Sequence, residues 1–404
     1  MKSDACSSDP APSCSSATGD GPLGWFERMI PNCLAYARQM HAEGRPIVGI
    51  LCEYAPRELL LAAGAVPVCL CGGSAATIAP AEQYLPVSLC PLIKSTFGYH
   101  VQKSNPFLEM ADLVVAETTC DGKKKMYELM GESRPMFVLH LPHRPEHPAS
   151  LAAWKAELLR LAAALERRFH VRIETDRLRA AIAVMNRERQ LRRQLAETMK
   201  SDHPPLTGRQ LLSLKSSISG VPEHLPHYEA VFRSLCNARK NCGCSQPVRV
   251  LMTGVPMAHG AERVLELIEQ CGGLVVCMDT CVGLKPILQD VDEQAEDPFD
   301  ALAAKYLDLP CAVMTSNDQR LRVLEQLATE YRPECVIELI WQGCTVYEVE
   351  SRRIARLCEQ QLGLPYLRIE TDYSPSDQAR ITNRVEALFE TVRGAGQIGS
   401  QIES

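Results

Sequence analysis

The sequence predicts an α/β protein in which two parallel-sheet domains are joined by a helical segment. Apolar runs of strand length alternate with helical patterns near both ends of the chain, which is typical of βαβ units. Between them, the residues from about 150 to 200 change to long, charged, amphipathic helical patterns. The length of 404 residues also exceeds what one hydrophobic core usually organises, so two domains are expected.

The N-terminal part of the chain contains four predicted strands separated by helical patterns. We expect strands at 46–51, 66–70, 111–117 and 135–141, and helices at 25–43, 57–63, 90–101 and 123–130. Gly44, Gly64 and Gly131 follow three of these helices, as C-terminal glycines commonly do. We therefore assign residues 24–148 to an N-terminal α/β domain, and the Ser-, Pro- and Gly-rich residues 1–23 to a disordered tail.

A helical connector and a second α/β pattern follow. Residues 149–245 form the predicted connector, with two long helices at 151–170 and 174–200. Residues 246–404 form the predicted C-terminal α/β domain. In it we expect strands at 248–253, 274–278, 336–341 and 366–369, and helices at 260–271, 348–362 and 376–393.

Composition and charge exclude several classes of protein. The net charge of -6 is modest, and no dense Lys/Arg cluster is present that could track a phosphate backbone, so nucleic acid is not an expected partner. No run approaches the roughly 18 to 20 apolar residues of a membrane-spanning helix. The N-terminus lacks the apolar stretch of a secretory signal, and we expect a cytoplasmic protein.

Cysteine is the residue type that stands out. The chain has 18 cysteines, and structural disulfides are rare in a reducing compartment. In open α/β sheets, ligands bind at the carboxyl ends of the strands, where the loops converge. Four cysteines directly follow predicted strands, one precedes Pro91 at a helix start, and one lies at another element boundary. In that order they are Cys52, Cys120, Cys281, Cys344, Cys90 and Cys311.

Any one of these six cysteines is as well explained by packing, because free cysteine is among the most buried residue types. Six at element ends together favour metal ligation, with three candidates in each half of the chain. Since no ferredoxin-type C-x2-C-x2-C run is present, the ligands would have to converge from distant loops. We assign packing roles to Cys33, Cys69, Cys71, Cys271, Cys277, Cys335 and Cys358. The group Cys236, Cys242 and Cys244 could bind zinc or a separate metal, but it matches no standard zinc spacing and lacks a nearby His.

Other motifs are weak or absent. The chain has no G-x-x-x-x-G-K-[ST] motif and is not expected to hydrolyse ATP itself. The segment GVPMAHG, 254–260, follows a strand as a phosphate-binding loop would, but a plain turn is the better interpretation. Lys123, Lys124 and Lys125 offset the negative charge of a nearby cluster, dock an acidic partner or, as is more usual for such a run, form a solvated helix start. No acid or base catalyst is assigned.

Several long segments resemble the superfamily of 2-hydroxyacyl-CoA dehydratases and benzoyl-CoA reductases. They include GILCEYAPRELLLAAG, SLCPLIKSTFGY, ADLVVAETTCDGKKKMYELM and ETDYSPSDQARITNRVEALFE, and the resemblance extends from residue 25 to the C-terminus. Within the superfamily, the chain is most similar to the double-cubane cluster proteins. The resemblance implies two Rossmann-like domains with the cluster in the cleft between them.

The resemblance also implies a ligand set, partners and a reaction. Cys52, Cys90, Cys120, Cys281, Cys311 and Cys344 would hold two 4Fe-4S cubanes joined by sulfide, three cysteines to each. A homodimer would receive electrons from a separate ATP-hydrolysing activator that carries its own 4Fe-4S cluster, and would reduce a small molecule. The alternative is a dehydratase subunit with one 4Fe-4S cluster, acting on a CoA thioester. A third hypothesis is a non-catalytic electron carrier or metal-storage protein.

Overall fold

The computed structural model of the protein describes residues 21–237 and 247–402. It confirms the predicted α/β class, because two four-stranded parallel sheets are each flanked by helices. The first 20 residues of the predicted tail, together with Cys242 and Cys244, lie outside the described residues. None of the described helices combines the length and the apolar character needed to cross a membrane.

The two sheets have the same topology. The first contains β1 (Ile47–Ile50), β2 (Val66–Cys69), β3 (Leu113–Glu117) and β4 (Met136–Leu139), in the order β2-β1-β3-β4. The second contains β5 (Val248–Gly254), β6 (Gly273–Asp279), β7 (Cys335–Trp341) and β8 (Tyr366–Thr371), in the order β6-β5-β7-β8. All eight strands lie where the sequence predicts them. In each sheet the strand order reverses beside the first strand, which is where α/β sheets form their binding crevice.

Helices cover both faces of the sheets and form the connector. In the N-terminal part they are α1 (Gly24–Glu27), α2 (Met29–Ala42), α3 (Arg57–Ala62), α4 (Ile78–Ala81), α5 (Pro91–Gln102), α6 (Pro106–Met110) and α7 (Asp121–Gly131). The connector contains α8 (Ser150–Phe169), α9 (Thr175–Glu197), α10 (Gly208–Ser213) and α11 (Leu225–Asn237). The C-terminal part contains α12 (Arg263–Gln270), α13 (Pro298–Leu307), α14 (Asp318–Tyr331), α15 (Thr345–Leu357) and α16 (Gln378–Ile402). The sequence patterns predict no element at α4, α6, α10, α11, α13 or α14.

The central strands are buried along their whole length. Every residue of β1, β3 and β7 is buried, as expected for parallel strands with helices on both faces. Their Val-, Ile- and Leu-rich sequences remain apolar without alternation for the same reason. The ends of these strands therefore lie at fixed positions within a packed core.

The connector joins the two halves through a buried polar cluster. Arg189 on α9 forms an ion pair with Glu58 of the N-terminal part, and both side chains are almost fully buried. The Tyr306 hydroxyl on α13 donates a hydrogen bond to Glu58 (2.8 Å) and contacts Arg189 (3.1 Å). Because each charge is paired and hydrogen-bonded, the cluster can be buried, and removing one member would leave an uncompensated charge.

The two halves also approach each other closely at Gly73. A Cβ atom placed on Gly73 would lie 2.1 Å from the carbonyl oxygen of His259, in the loop that follows β5. Gly260 lies against the same residue from the other side, with its corresponding position 3.0 Å from the Gly73 carbonyl oxygen. Only a residue without a side chain fits this contact.

Gly73→Ala should lower the free energy of unfolding by roughly 1–3 kcal/mol, because the methyl group would force two backbone segments apart. Gly131→Ala is the matched control, since nothing lies within 4 Å of its Cβ position at the end of α7. That control should be neutral or stabilising by up to about 1 kcal/mol. Chemical denaturation measures both variants, and equal stabilities would contradict the close approach at Gly73.

Candidate metal centre

The six candidate cysteines occupy loop and helix-start positions around the seam between the two sheets. Cys52, Cys120, Cys281 and Cys344 come just after β1, β3, β6 and β7, as the strand-end argument predicts. Cys90 precedes α5, and Cys311 lies in the loop between α13 and α14.

Three of the cysteines stand at the first positions of helices. Cys90, Cys120 and Cys344 are the N-cap residues of α5, α7 and α15. The free amides and positive dipole end of a helix N-terminus favour an anion there. A hydrogen bond from the neighbouring Cys344 thiol lowers the pKa of Cys90, and the amides of Leu92 and Ile93 act in the same direction. These hydrogen bonds favour the thiolate form of Cys90.

All six cysteines line one cavity of about 350 Å³, here named the cysteine cavity. Its cysteines come from both halves of the chain: Cys52, Cys90, Cys120, Cys281, Cys311 and Cys344. Apolar side chains, among them Ile93, Val313 and Trp341, form much of the remaining wall. The fold therefore brings together six thiols that lie far apart in the sequence, between Cys52 and Cys344.

Burial disfavours the ionised form of most of these thiols. It raises the pKa of Cys52 well above its ordinary value, raises that of Cys120, and raises that of Cys281 to about 11. A thiolate in such a place needs a bound cation to compensate its charge, and metal binding would release the protons.

The donor set suits a multi-iron cluster better than a single ion. Among residues 21–237 and 247–402, no three His, Cys, Asp or Glu side chains are close enough together to hold one metal ion. In a cluster each cysteine binds a different iron and the irons are bridged by sulfide, so the sulfurs need not converge on one point. Six thiols around one largely apolar cavity fit that pattern.

Buried lysines place positive charge around the cysteine cavity. Lys215 donates a hydrogen bond to the Cys281 carbonyl oxygen (2.7 Å) and forms an ion pair with Glu53. Lys285 is almost fully buried and contacts the hydroxyl of Tyr347, which lines the cavity (3.3 Å). Because thiolates and sulfides are anionic, nearby ammonium groups make an iron-sulfur centre less costly to bury.

Lys123 is the member of its lysine run that turns inward. Its ammonium group donates a hydrogen bond to the Leu51 carbonyl oxygen (2.9 Å), and it lines the cysteine cavity. Burial opposes its charge, whereas attraction to the neighbouring Tyr127 and Cys52 raises its pKa above the ordinary value when those groups are ionised. Lys124 and Lys125 instead form exposed salt bridges with Asp121 and Glu128. Lys124 and Lys125 thus form the solvated start of α7, and Lys123 is the member of the run that faces the cysteine cavity.

A second cavity of about 450 Å³ adjoins the first. The two share five wall residues: Cys52, Leu92, Lys123, Pro256 and Cys281. The loop 256–260 from the weak GVPMAHG motif also lines it. The cysteine cavity therefore has a larger neighbour that could hold a substrate.

Two cysteines assigned to packing line this second cavity. Cys69 ends β2, and Cys71 follows shortly after it. An Arg57 guanidinium nitrogen lies 3.5 Å from the Cys69 sulfur, and the Cys71 thiol donates to the Leu51 carbonyl oxygen at 3.5 Å. Packing alone therefore does not describe Cys69 and Cys71, because both also line a cavity. Cys71 comes just after β2, so the strand-end rule that selected Cys52 would also have selected it. By contrast Cys33, Cys277, Cys335 and Cys358 are buried in the core.

Glu117 is a buried acid below the site that the sequence analysis did not single out. It ends β3, is fully buried, and neither of its carboxylate oxygens has a hydrogen-bond partner among the described residues. Burial raises its pKa to about 8, although Lys123 and Arg57 act in the opposite direction. Glu117 is therefore largely protonated at neutral pH.

Glu117→Gln should flatten the pH dependence of stability. Because the folded-state pKa of Glu117 is raised above its ordinary value of 4.5, its contribution to stability is complete below about pH 4.5 and declines as the pH rises towards 8. In the metal-free state, the free energy of unfolding of Glu117→Gln should therefore rise relative to that of the wild type over this pH range. The difference should reach about 4 kcal/mol at pH 8. Denaturation at several pH values measures this, with the exposed Glu132→Gln as control. Parallel profiles for the wild type and Glu117→Gln would contradict it.

The geometry defines a class of protein with paired α/β domains around a shared thiol-lined cavity. Residues 52–392 match the family model described as 2-hydroxyglutaryl-CoA dehydratase, D-component, and the chain belongs to this family. That result confirms the superfamily resemblance seen in the sequence.

Curated relatives cover most of the chain. YjiM of Escherichia coli (strain K12), whose name assigns it provisionally to the dehydratase subunits, is 42% identical over 86% of this chain and 91% of its own length. The (R)-phenyllactyl-CoA dehydratase beta subunit of Clostridium sporogenes is 21% identical over 91% of this chain and 97% of its own. One of the benzoyl-CoA reductase subunits of Thauera aromatica is 24% identical over 80% of this chain and 84% of its own.

Proposed function

We propose that this chain is a low-potential iron-sulfur reductase that holds a double-cubane cluster in the cysteine cavity. The observation that carries the proposal is the convergence of all six candidate cysteines on one cavity between the two sheets. The same six residues would serve as ligands. When bound, such a cluster supplies one-electron transfer and metal sites at which a small molecule can be reduced.

The chain's own residues would bind the cluster and control its surroundings. The amides at the starts of α5, α7 and α15 favour negative charge in the cysteine cavity. Apolar wall residues such as Val313 and Trp341 limit the access of water. Electrostatic interactions are stronger in such a low-dielectric site than in water.

The electrons would come from a protein partner. The sequence has no P-loop motif, so ATP-driven electron delivery requires a separate activator that hydrolyses ATP and carries its own 4Fe-4S cluster. Membership of a dehydratase family supports this division of labour. We further propose that the chain works as a homodimer in the cytoplasm.

A dehydratase subunit with one 4Fe-4S cluster is the second candidate. Two observations favour it: the relatives named as dehydratase subunits, and the second cavity, which has room for the acyl part of a CoA thioester. In that case the reaction would be the removal of water from a 2-hydroxyacyl-CoA.

Iron and sulfide analysis of anaerobically purified protein separates the candidates. About eight irons per chain is the result expected for two cubanes, and about four would favour the dehydratase subunit. Iron-loaded protein that turns over neither a small molecule nor an acyl-CoA with its activator would instead indicate an electron carrier or metal-storage protein.

Cys344→Ser should lose much of the bound iron and of the visible absorption, because a hydroxyl is a poor replacement for a thiolate ligand. Cys358→Ser is the matched control, since Cys358 is buried in the core away from both cavities. It should retain both signals even if it is less stable. Metal analysis and absorption spectra of the two variants provide the measurement, and similar iron loss in both would refute the ligand assignment.

A further inference from the structure

Lys123 occupies the junction of the two cavities. Its side chain lines both of them, and its ammonium group is fixed by the hydrogen bond to the Leu51 carbonyl oxygen at the end of β1 (2.9 Å). Two cysteines, Cys52 and Cys281, also lie in the shared wall. A molecule in the second cavity can therefore contact Lys123 while it borders the cysteine cavity.

The charge of Lys123 is not neutralised by a neighbouring acid. No carboxylate of the described residues forms a salt bridge with it, whereas Lys215, the other lysine of the second cavity, is paired with Glu53. The junction therefore carries a positive charge that an anionic or strongly polarised group can compensate.

The rest of the second cavity is mostly apolar. Leu92, Pro256, Met257 and Val282 contribute to its walls. An ammonium group within apolar walls selects a ligand that has one electron-rich atom and an apolar body.

We propose that Lys123 is the anion-binding group of the second cavity and holds the substrate oxygen on which negative charge develops during reduction. This inference rests on the proposed function, because it places the substrate beside the electron-donating centre. The substrate oxygen accepts a hydrogen bond from the ammonium group. One electron, supplied by the one-electron reductant that serves the chain, then enters the substrate and leaves a negative charge on that oxygen. No covalent bond to Lys123 forms, and Lys123 retains its proton in this step.

The chain provides matched controls on the same helix. Lys125 has the same side chain, but it points to solvent and pairs with Glu128. Lys123→Met removes the charge while keeping an apolar stem, Lys123→Arg keeps the charge, and Lys125→Met removes a charge that faces neither cavity.

Calorimetric titration of the iron-loaded full-length protein with butyrate, a small carboxylate with an apolar tail, tests the proposal. We expect the Kd of Lys123→Met to rise about ten- to a hundredfold, as for loss of a charged hydrogen bond, with partial recovery in Lys123→Arg and no change in Lys125→Met. Unchanged affinity in Lys123→Met, or no binding of butyrate to the wild type, would overturn the proposal.

Iron content, measured on the same samples, separates this inference from the proposed function. The anion-binding role predicts the same iron content in Lys123→Met and Lys125→Met. Iron loss in Lys123→Met alone would assign the lysine to the cluster and overturn the proposal. If the wild type bound butyrate through Lys123 but contained no iron, the proposed function would fail while the anion-binding role would stand.

Discussion

The carboxyl ends of two parallel sheets face a common seam, and this constraint determines the rest of the site. Each sheet has its central strands buried on both faces, so the loops at its strand ends are among the few places where polar or reactive groups can be collected. The loops of both sheets meet at the cysteine cavity. The buried pair of Arg189 and Glu58, together with Tyr306, stabilises the docking of the halves that makes this meeting possible.

The charge distribution around the seam follows from the same arrangement. Thiols that burial keeps protonated, such as Cys52 and Cys281, lie near lysines that are held in place by backbone carbonyl groups. An apolar cavity lined only by thiols would disfavour a bound anion, because nothing would compensate the negative charge. A cavity lined only by ammonium groups would destabilise the fold, because the buried positive charges would be uncompensated. Under the proposed function, these thiols would lose their protons when metal and sulfide bind.

The sequence predicted the strands well because apolar runs between glycines and helical patterns have few alternative interpretations. It predicted α13 poorly, since that helix is buried on most sides and shows no polar face. The strand-end rule found Cys52, Cys120, Cys281 and Cys344, but whether their loops converge depends on how the halves dock, which no local pattern encodes. The inward direction of Lys123, as opposed to Lys124 and Lys125, depends on the rotation of α7 against the sheet.

The equal division of the six cysteines between the halves has a consequence for assembly. Neither half contains more than three of them, so the full set exists only where the two halves pack against each other. Under the proposed function, cluster binding would therefore be coupled to the docking of the two halves, to which Arg189 of α9 contributes an ion pair with Glu58.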